Sequence, residues 1–178
     1  IEAAGVNELT VHARTKRHGY RPPAYWEEIA RAREVVSLNV IANGEIWSPA
    51  DALRCREVTG CDDLMLGRGA LCRPDLPRLV AAAGAGHSRP SLHWAGIPPL
   101  LLHFFELNLA HYDAKYAPNT TKQWLAYLRA YFPQAALLFE RVKRLRDPAQ
   151  LHAVLLAESP AAEADFKTSR CTSRKTAM

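Results

Sequence analysis

Val40-Ile41-Ala42-Asn43-Gly44-Glu45-Ile46-Trp47-Ser48-Pro49-Ala50-Asp51 is the stretch whose reading decides the fold. Val40-Ile41-Ala42 is a short apolar run that suits a strand. Asn43-Gly44-Glu45 ends it. Ser48 is a good N-cap, Pro49 fits the first helical position, and Asp51 is favourable in the first turn. The helix it opens is expected to bury Ala52, Leu53, Cys55 and Val58. The unit is therefore strand, short loop, helix, and it recurs on both sides. Upstream, Leu9-Thr10-Val11 is a β-type run, followed by a polar loop from His12 to Pro23 and a helix with Trp26, Ile29, Ala30 and Val36 on roughly one face. Downstream, Leu64-Met65-Leu66 is a third strand ending at Gly67-Arg68-Gly69. Strands alternating with helices over short connections must run parallel, with helical crossovers. The predicted class is α/β, with the repeating unit of a (β/α)8 TIM barrel. Three strands do not close one, since a complete barrel needs about 250 residues. The opening Ile1-Glu2-Ala3-Ala4-Gly5 reads as the tail of a helix running into a strand, so the chain is expected to start within a fold.

Beyond Arg73-Pro74-Asp75 the pattern changes. Leu76 to Ala83 suits a short helix, and Gly84 to Pro90 reads as a linker. From Ile97 to about Leu156 only helical signals remain. Leu100, Leu101, Phe104, Phe105 and Leu107 suggest one helix. Trp124, Leu125, Leu128, Tyr131 and Phe132 form the stripe of a second. Leu138, Val142 and Leu145 mark a third, and Asp147-Pro148 caps a fourth carrying Leu151, Val154 and Leu155. A small helical bundle follows. From Glu158 onward the chain is polar and is expected to be disordered. The expected organisation is a partial barrel over residues 1–83, a linker over 84–96, a helical domain over 97–157 and a tail over 158–178.

The formal charge of +5 favours an anionic partner, with nucleic acid first. Cys55, Cys61, Cys72 and Cys171 form no C-x-x-C pair and stand near no second His or Cys cluster, so no structural metal is expected. Ordinary thiols in a reducing, cytoplasmic setting fit best. The most apolar run, Ile97 to Leu109, is too short for a membrane span and is broken by His103, Glu106 and Asn108.

In parallel α/β barrels, chemistry sits at the C-terminal ends of the strands. Here those ends are His12-Ala13-Arg14-Thr15-Lys16, Asn43-Gly44-Glu45 and Gly67-Arg68-Gly69-Ala70. Gly67 and Gly69 let backbone come close to a ligand, with N–H groups available to a phosphate. Arg68 adds a charge-assisted, bidentate contact. For His12 the plain alternative is a satisfied core histidine, and for Glu45 a solvated loop carboxylate. Their places at strand ends favour ligand contact for His12 and orientation of a polar ring system for Glu45.

These tips carry a resemblance. His12-Ala13-Arg14-Thr15-Lys16 through Gly19-Tyr20, Ala42-Asn43-Gly44-Glu45-Ile46, and Gly60-Cys61-Asp62 through Leu66-Gly67-Arg68-Gly69-Ala70-Leu71 closely resemble tRNA-dihydrouridine synthases. Lys122-Gln123-Trp124-Leu125 through Tyr127-Leu128-Arg129 looks like the helical domain of the bacterial DusC type, which acts on uridine 16 of the tRNA D-loop. The resemblance implies that residues 1–83 are the C-terminal part of the barrel. It implies FMN at the barrel mouth: Asn43, Gly44 and Glu45 at the flavin and ribityl chain, Gly67 and Arg68 at the phosphate, and His12 against the flavin. It further implies NADPH as reductant and 5,6-dihydrouridine in tRNA as product. The family's catalytic cysteine and a flavin-contacting lysine belong to the N-terminal half of its barrel. No catalytic residue is therefore expected in this chain, which alone is expected to be inactive. The full-length protein is expected to be a monomer without metal or membrane attachment.

An RNA-facing surface is also expected from the residues themselves. Lys115, Lys122, Arg129, Arg141, Lys143, Arg144 and Arg146 concentrate in the helical segment. Lys122 and Arg129 are seven apart and are expected to share a face that can neutralise phosphates. Tyr20 and Tyr127 suit stacking on bases or contact with the RNA backbone. The plain alternative for the cations is a solvated face. Asn119-Thr120-Thr121 departs from the subgroup, which places a basic residue there. Two other functions compete: a flavin barrel reducing a small molecule, and an inactive RNA-binding remnant.

Overall fold

The structure is a computed structural model that describes residues 1–17, 19 and 21–159. Expectations for Tyr20, for Cys171 and for a tail over residues 160–178 lie outside the described residues. The chain divides into two compact units. Among the described residues, one comprises residues 1–92 together with Tyr127–Tyr131, and the other residues 93–126 and 132–159.

The first unit is α/β. Strands β1 (Glu8–His12), β2 (Asn39–Asn43) and β3 (Leu64–Met65) form one parallel sheet in the order β1-β2-β3. Its connections are helices α1 (Trp26–Glu34) and α2 (Pro49–Thr59), followed by α3 (Arg68–Cys72) and α4 (Leu76–Gly84). The register pairs Val11 with Ala42 and Ala42 with Leu64, and it pairs His12 with Asn43 and Asn43 with Met65. In a parallel sheet, partners in register share a face. Val11, Val40, Ala42 and Leu64 therefore face the core, which they build with Ile29 of α1, Ala52 and Cys55 of α2, and Leu76 and Val80 of α4. Thr10, His12, Ile41, Asn43 and Met65 lie on the opposite face, and none of them is buried.

Helix α2 starts as its sequence demands. Ser48 Oγ accepts from the Asp51 N–H at 3.1 Å and donates to Asp51 Oδ2 at 2.8 Å. Its buried stripe differs from the expected one. Leu53 is 46 % exposed, and the buried positions are Ala52, Cys55 and Thr59. These three are spaced i, i+3, i+7, so Leu53 points about 100° away from the first of them. Thr59 tolerates burial because its hydroxyl donates to Cys55 O and accepts from the Cys61 N–H. Val36 packs on the core although α1 ends at Glu34.

The second unit is helical. It holds α5 (Ile97–His111), most of α6 (Ala117–Leu128), α7 (Pro133–Val142) and α8 (Pro148–Ala157). Ile97, Leu101, Phe105, Leu125, Leu138, Val142, Leu151 and Leu155 are all buried. Phe104 meets Trp124 edge-on, with ring centroids 5.0 Å apart. Asp147 caps α8 by accepting from the Ala149 N–H at 3.0 Å. The stripe through Tyr131 and Phe132 predicts a longer α6 than forms. Phe132 precedes Pro133, whose ring pushes it to an extended backbone at φ −110° and ψ 107°. The helix stops at Leu128, and a turn carries the chain to Pro133. No described helix is long and apolar enough to cross a membrane.

Candidate functional site

The parallel register sets His12 beside Asn43 and Asn43 beside Met65, so the tips of all three strands end level. The loops leaving these tips enclose a cavity of about 580 Å³. His12, Asn43, Gly44, Glu45, Gly67 and Arg68 all line it, as do Trp47, Met65 and Tyr127, the last belonging to the first unit. The three tip motifs, far apart in sequence, thus converge on one space.

His12 Nδ1 lies 3.2 Å from the Asn43 carbonyl oxygen. A carbonyl only accepts, so neutral His12 carries its proton on Nδ1 and keeps an acceptor lone pair on Nε2. Asn43 O also accepts the Ala13 N–H at 2.8 Å, which continues the ladder past the strand end. Gly44 adopts φ +132°, and a Cβ there would stand 3.2 Å from His12 Nδ1 and 3.3 Å from Ala13 Cβ. Backbone conformation and crowding both call for glycine. Trp26 Nε1 donates to Gly44 O at 2.8 Å and pins the loop from the helix side.

Glu45 takes a left-handed φ of 53°, unusual for a side chain without a local capping role. Such a conformation costs about 1–2 kcal/mol and persists only where neighbours over-determine it. Three neighbours do so. Arg14 Nη2 lies 2.5 Å and Arg68 Nη2 3.0 Å from Oε1, while Trp47 Nε1 donates to Oε2 at 2.9 Å. Burial pushes the Glu45 carboxyl up. The hydrogen bond from Trp47, the bond and charge of Arg14 and the charge of Arg68 outweigh it and hold the carboxyl below its ordinary range. Arg68 also lies over the Trp47 ring, 5.3 Å from its centroid.

Arg14 is the residue that sequence reasoning passed over. Its side chain is 1 % exposed, and its Nε donates to Pro23 O at 3.3 Å. Its Nη2 makes the close ion pair with Glu45, and Nη1 meets no acceptor among the described residues. The available signal was parity. Arg14 stands two residues after His12, and a buried cation just past a strand end needs a carboxylate at the next tip.

The two glycines of Gly67-Arg68-Gly69 differ. A Cβ on Gly67 would meet nothing within 4 Å, so its backbone is open to an approaching group. A Cβ on Gly69 would stand 2.2 Å from Ile46 O, so glycine there admits the protein's own backbone. A cavity of this size lies in the range of small-molecule sites, about 300–1,000 Å³. Its donor set, an arginine, an open glycine backbone, an asparagine and a histidine acceptor beside an indole, suits a ligand with one anionic end and a flat polar ring.

The residues expected to face RNA are not gathered in the same way. Lys122 is partly buried, and its Nζ donates to Leu145 O at 2.9 Å, in the connection between α7 and α8. Burial first, and then the Arg146 charge, lowers its pKa. Arg129 stands just past the last residue of α6. Lys115 pairs with Asp113, Arg141 with Glu158 and Lys143 with Glu140, so part of the expected basic surface is locally neutralised. Thr120 and Thr121, at the departure from the subgroup, bond within the second unit to Asn108 Oδ1 and Ala117 O. Among the described residues, no group of three or more His, Cys, Asp or Glu is placed to hold a metal.

Comparison with known proteins matches residues 1–163 to the family model described as dihydrouridine synthase. A tRNA-dihydrouridine(16) synthase of Aquipseudomonas alcaligenes is 47% identical over 160 residues, covering 90% of this chain and 50% of that protein. One from Pseudomonas putida is 46% identical over 164 residues, covering 92% and 51%. One from Shewanella oneidensis is 41% identical over 155 residues, covering 87% and 48%. The chain spans about half the length of the curated relatives it matches.

Proposed function

That the chain belongs to the dihydrouridine synthase family is the premise from which we propose its activity: FMN-dependent, NADPH-driven reduction of a tRNA D-loop uridine, position 16 first, to 5,6-dihydrouridine. The observation that carries this reading is the convergence of His12, Asn43, Gly44, Glu45, Gly67 and Arg68 on one cavity. When bound, FMN supplies the hydride chemistry, with NADPH and a proton as the source of the two hydrogens added across the C5–C6 bond. The chain's own residues bind and orient. Arg68 and the open Gly67 backbone would hold the phosphate, by charge and by close approach. Asn43 and Gly44 would meet the ribityl chain and the ring edge, and His12 offers Nε2 as an acceptor. Cys55, Cys61 and Cys72 are all buried, which leaves proton donation to the uracil ring to a cysteine outside this chain, in the N-terminal half of the barrel.

Residues 1–83 are then the C-terminal part of a (β/α)8 barrel. An all-parallel sheet ordinarily has both faces covered. Helices cover one face here, and the face bearing Thr10, Ile41 and Met65 suits the lumen side. Residues 84–96 serve as a linker and 97–157 as the tRNA-binding helical domain, with Lys122, Tyr127, Arg129 and Tyr20 as RNA contacts. A monomeric cytoplasmic enzyme completes the reading.

The test joins this chain to the part of the Aquipseudomonas alcaligenes relative that it does not match, and supplies FMN, NADPH and unmodified tRNA. The expected result is a D-loop fragment heavier by two hydrogen atoms, with uridine 16 as the site. A flavin-loaded protein that leaves every D-loop uridine unreduced would overturn the proposal. Arg68→Ala in the same protein is expected to weaken FMN binding about 10- to 100-fold, the worth of a charge-assisted contact.

A further inference from the structure

Two arginines share one carboxylate oxygen at the cavity wall. Arg14 and Arg68 both reach Glu45 Oε1, and Trp47 Nε1 occupies Oε2. Both carboxylate oxygens of Glu45 are thus engaged by the protein itself. The cluster also carries one positive charge more than it neutralises. Arg14 is buried, whereas the Arg68 side chain is 35% exposed and lines the cavity.

We propose that Arg14 is a positioning residue for the anion-binding end of this site. It clamps Glu45 from below, and Glu45 in turn sets the orientation in which Arg68 meets a phosphate monoester. This rests on the FMN reading of the cavity and adds to it a role for a side chain that does not line the cavity. Three observations converge. Arg14 is fixed at both ends of its guanidinium, at Pro23 O and at Glu45. Glu45 holds a backbone conformation that isolated glutamates avoid. Arg68 is the one arginine or lysine among the cavity's described lining residues. With Arg14 removed, Arg68 would be the one cation left at Glu45 Oε1, and the carboxylate would draw its guanidinium away from an incoming anion. Arg14 therefore contributes by keeping Arg68 available.

The test is a double-mutant cycle on FMN affinity, read by quenching of flavin fluorescence in the joined protein described above. Arg14→Met and Glu45→Gln are each expected to raise the FMN Kd about tenfold, and the double variant to raise it no further than either alone. Arg14→Lys restores a charge without the fork and is expected to fall between wild type and Arg14→Met. If Arg14→Met lacks a native far-UV circular dichroism spectrum, Arg14→Lys takes its place in the cycle. An unchanged Kd in the Arg14 variant, or single effects that multiply in the double variant, would overturn the positioning role. Failure of the unmutated protein to bind FMN would instead overturn the reading of the site.

Discussion

Glu45 shows how a single residue can be held against its own preference. Its left-handed backbone costs free energy that two guanidinium charges and an indole N–H offset. Its carboxyl is held below the ordinary value of 4.5, so the sign of its pH dependence follows. The stabilisation is complete above that value and is lost as pH falls through the depressed one. Thermal melts of wild type and Glu45→Gln between about pH 3 and 7 should therefore differ most near neutrality and converge in acid. A difference that grew on acidification would refute this. Gly69 makes a steric prediction. A Cβ 2.2 Å from Ile46 O cannot be accommodated without moving backbone. Gly69→Ala should destabilise by about 1–3 kcal/mol, read as a lower melting temperature. Cys55 should be inert. Burial, and then the neighbouring Cys61, pushes its thiol up to about 11. Alkylation near pH 8 followed by peptide mass spectrometry should leave Cys55 unmodified unless denaturant is present.

Among elements, α2 and α8 begin where their caps say they should. Ser48 and Asp147 each accept a backbone N–H of the first turn. Ser48→Ala should cost about 1 kcal/mol, measured by urea unfolding, and a neutral result would show that Asp51 alone suffices. The strands were legible for a related reason. β-type runs ending in Asn-Gly or Gly-Arg-Gly combine two local signals that agree. The same locality explains the misses. Leu53 belongs to no buried stripe because apolar character does not fix which side of a helix meets the core. The run through Phe132 looks helical by spacing, but the Pro133 ring decides its backbone. At the site, His12, Asn43, Gly44, Glu45, Gly67 and Arg68 were legible because parallel strands deliver their C-terminal ends to one side. Arg14 was not, since its burial depends on which tip lies beside it in the sheet. The acid partners of Lys143 and Arg141 were visible as residues, but only the fold brings Glu158 to Arg141.

At the scale of the molecule, the two units carry different parts of the proposed work. The α/β unit supplies a cavity built from strand tips. The helical unit supplies cations, of which Arg144 and Arg146 make no ion pair with a described acid. If that surface meets tRNA phosphates, affinity must fall steeply with salt. Arg144→Ala with Arg146→Ala should flatten the salt dependence of tRNA binding, with FMN affinity unchanged. A salt dependence unaffected by the pair would move the RNA contact elsewhere. The central claim concerns the strand tips, and the most direct measurement is a crystal structure of the joined protein grown with FMN. The account predicts the phosphate at Gly67 and Arg68, with the flavin beside His12, Asn43 and Gly44. A flavin bound outside the cavity, or a phosphate remote from Arg68, would contradict it.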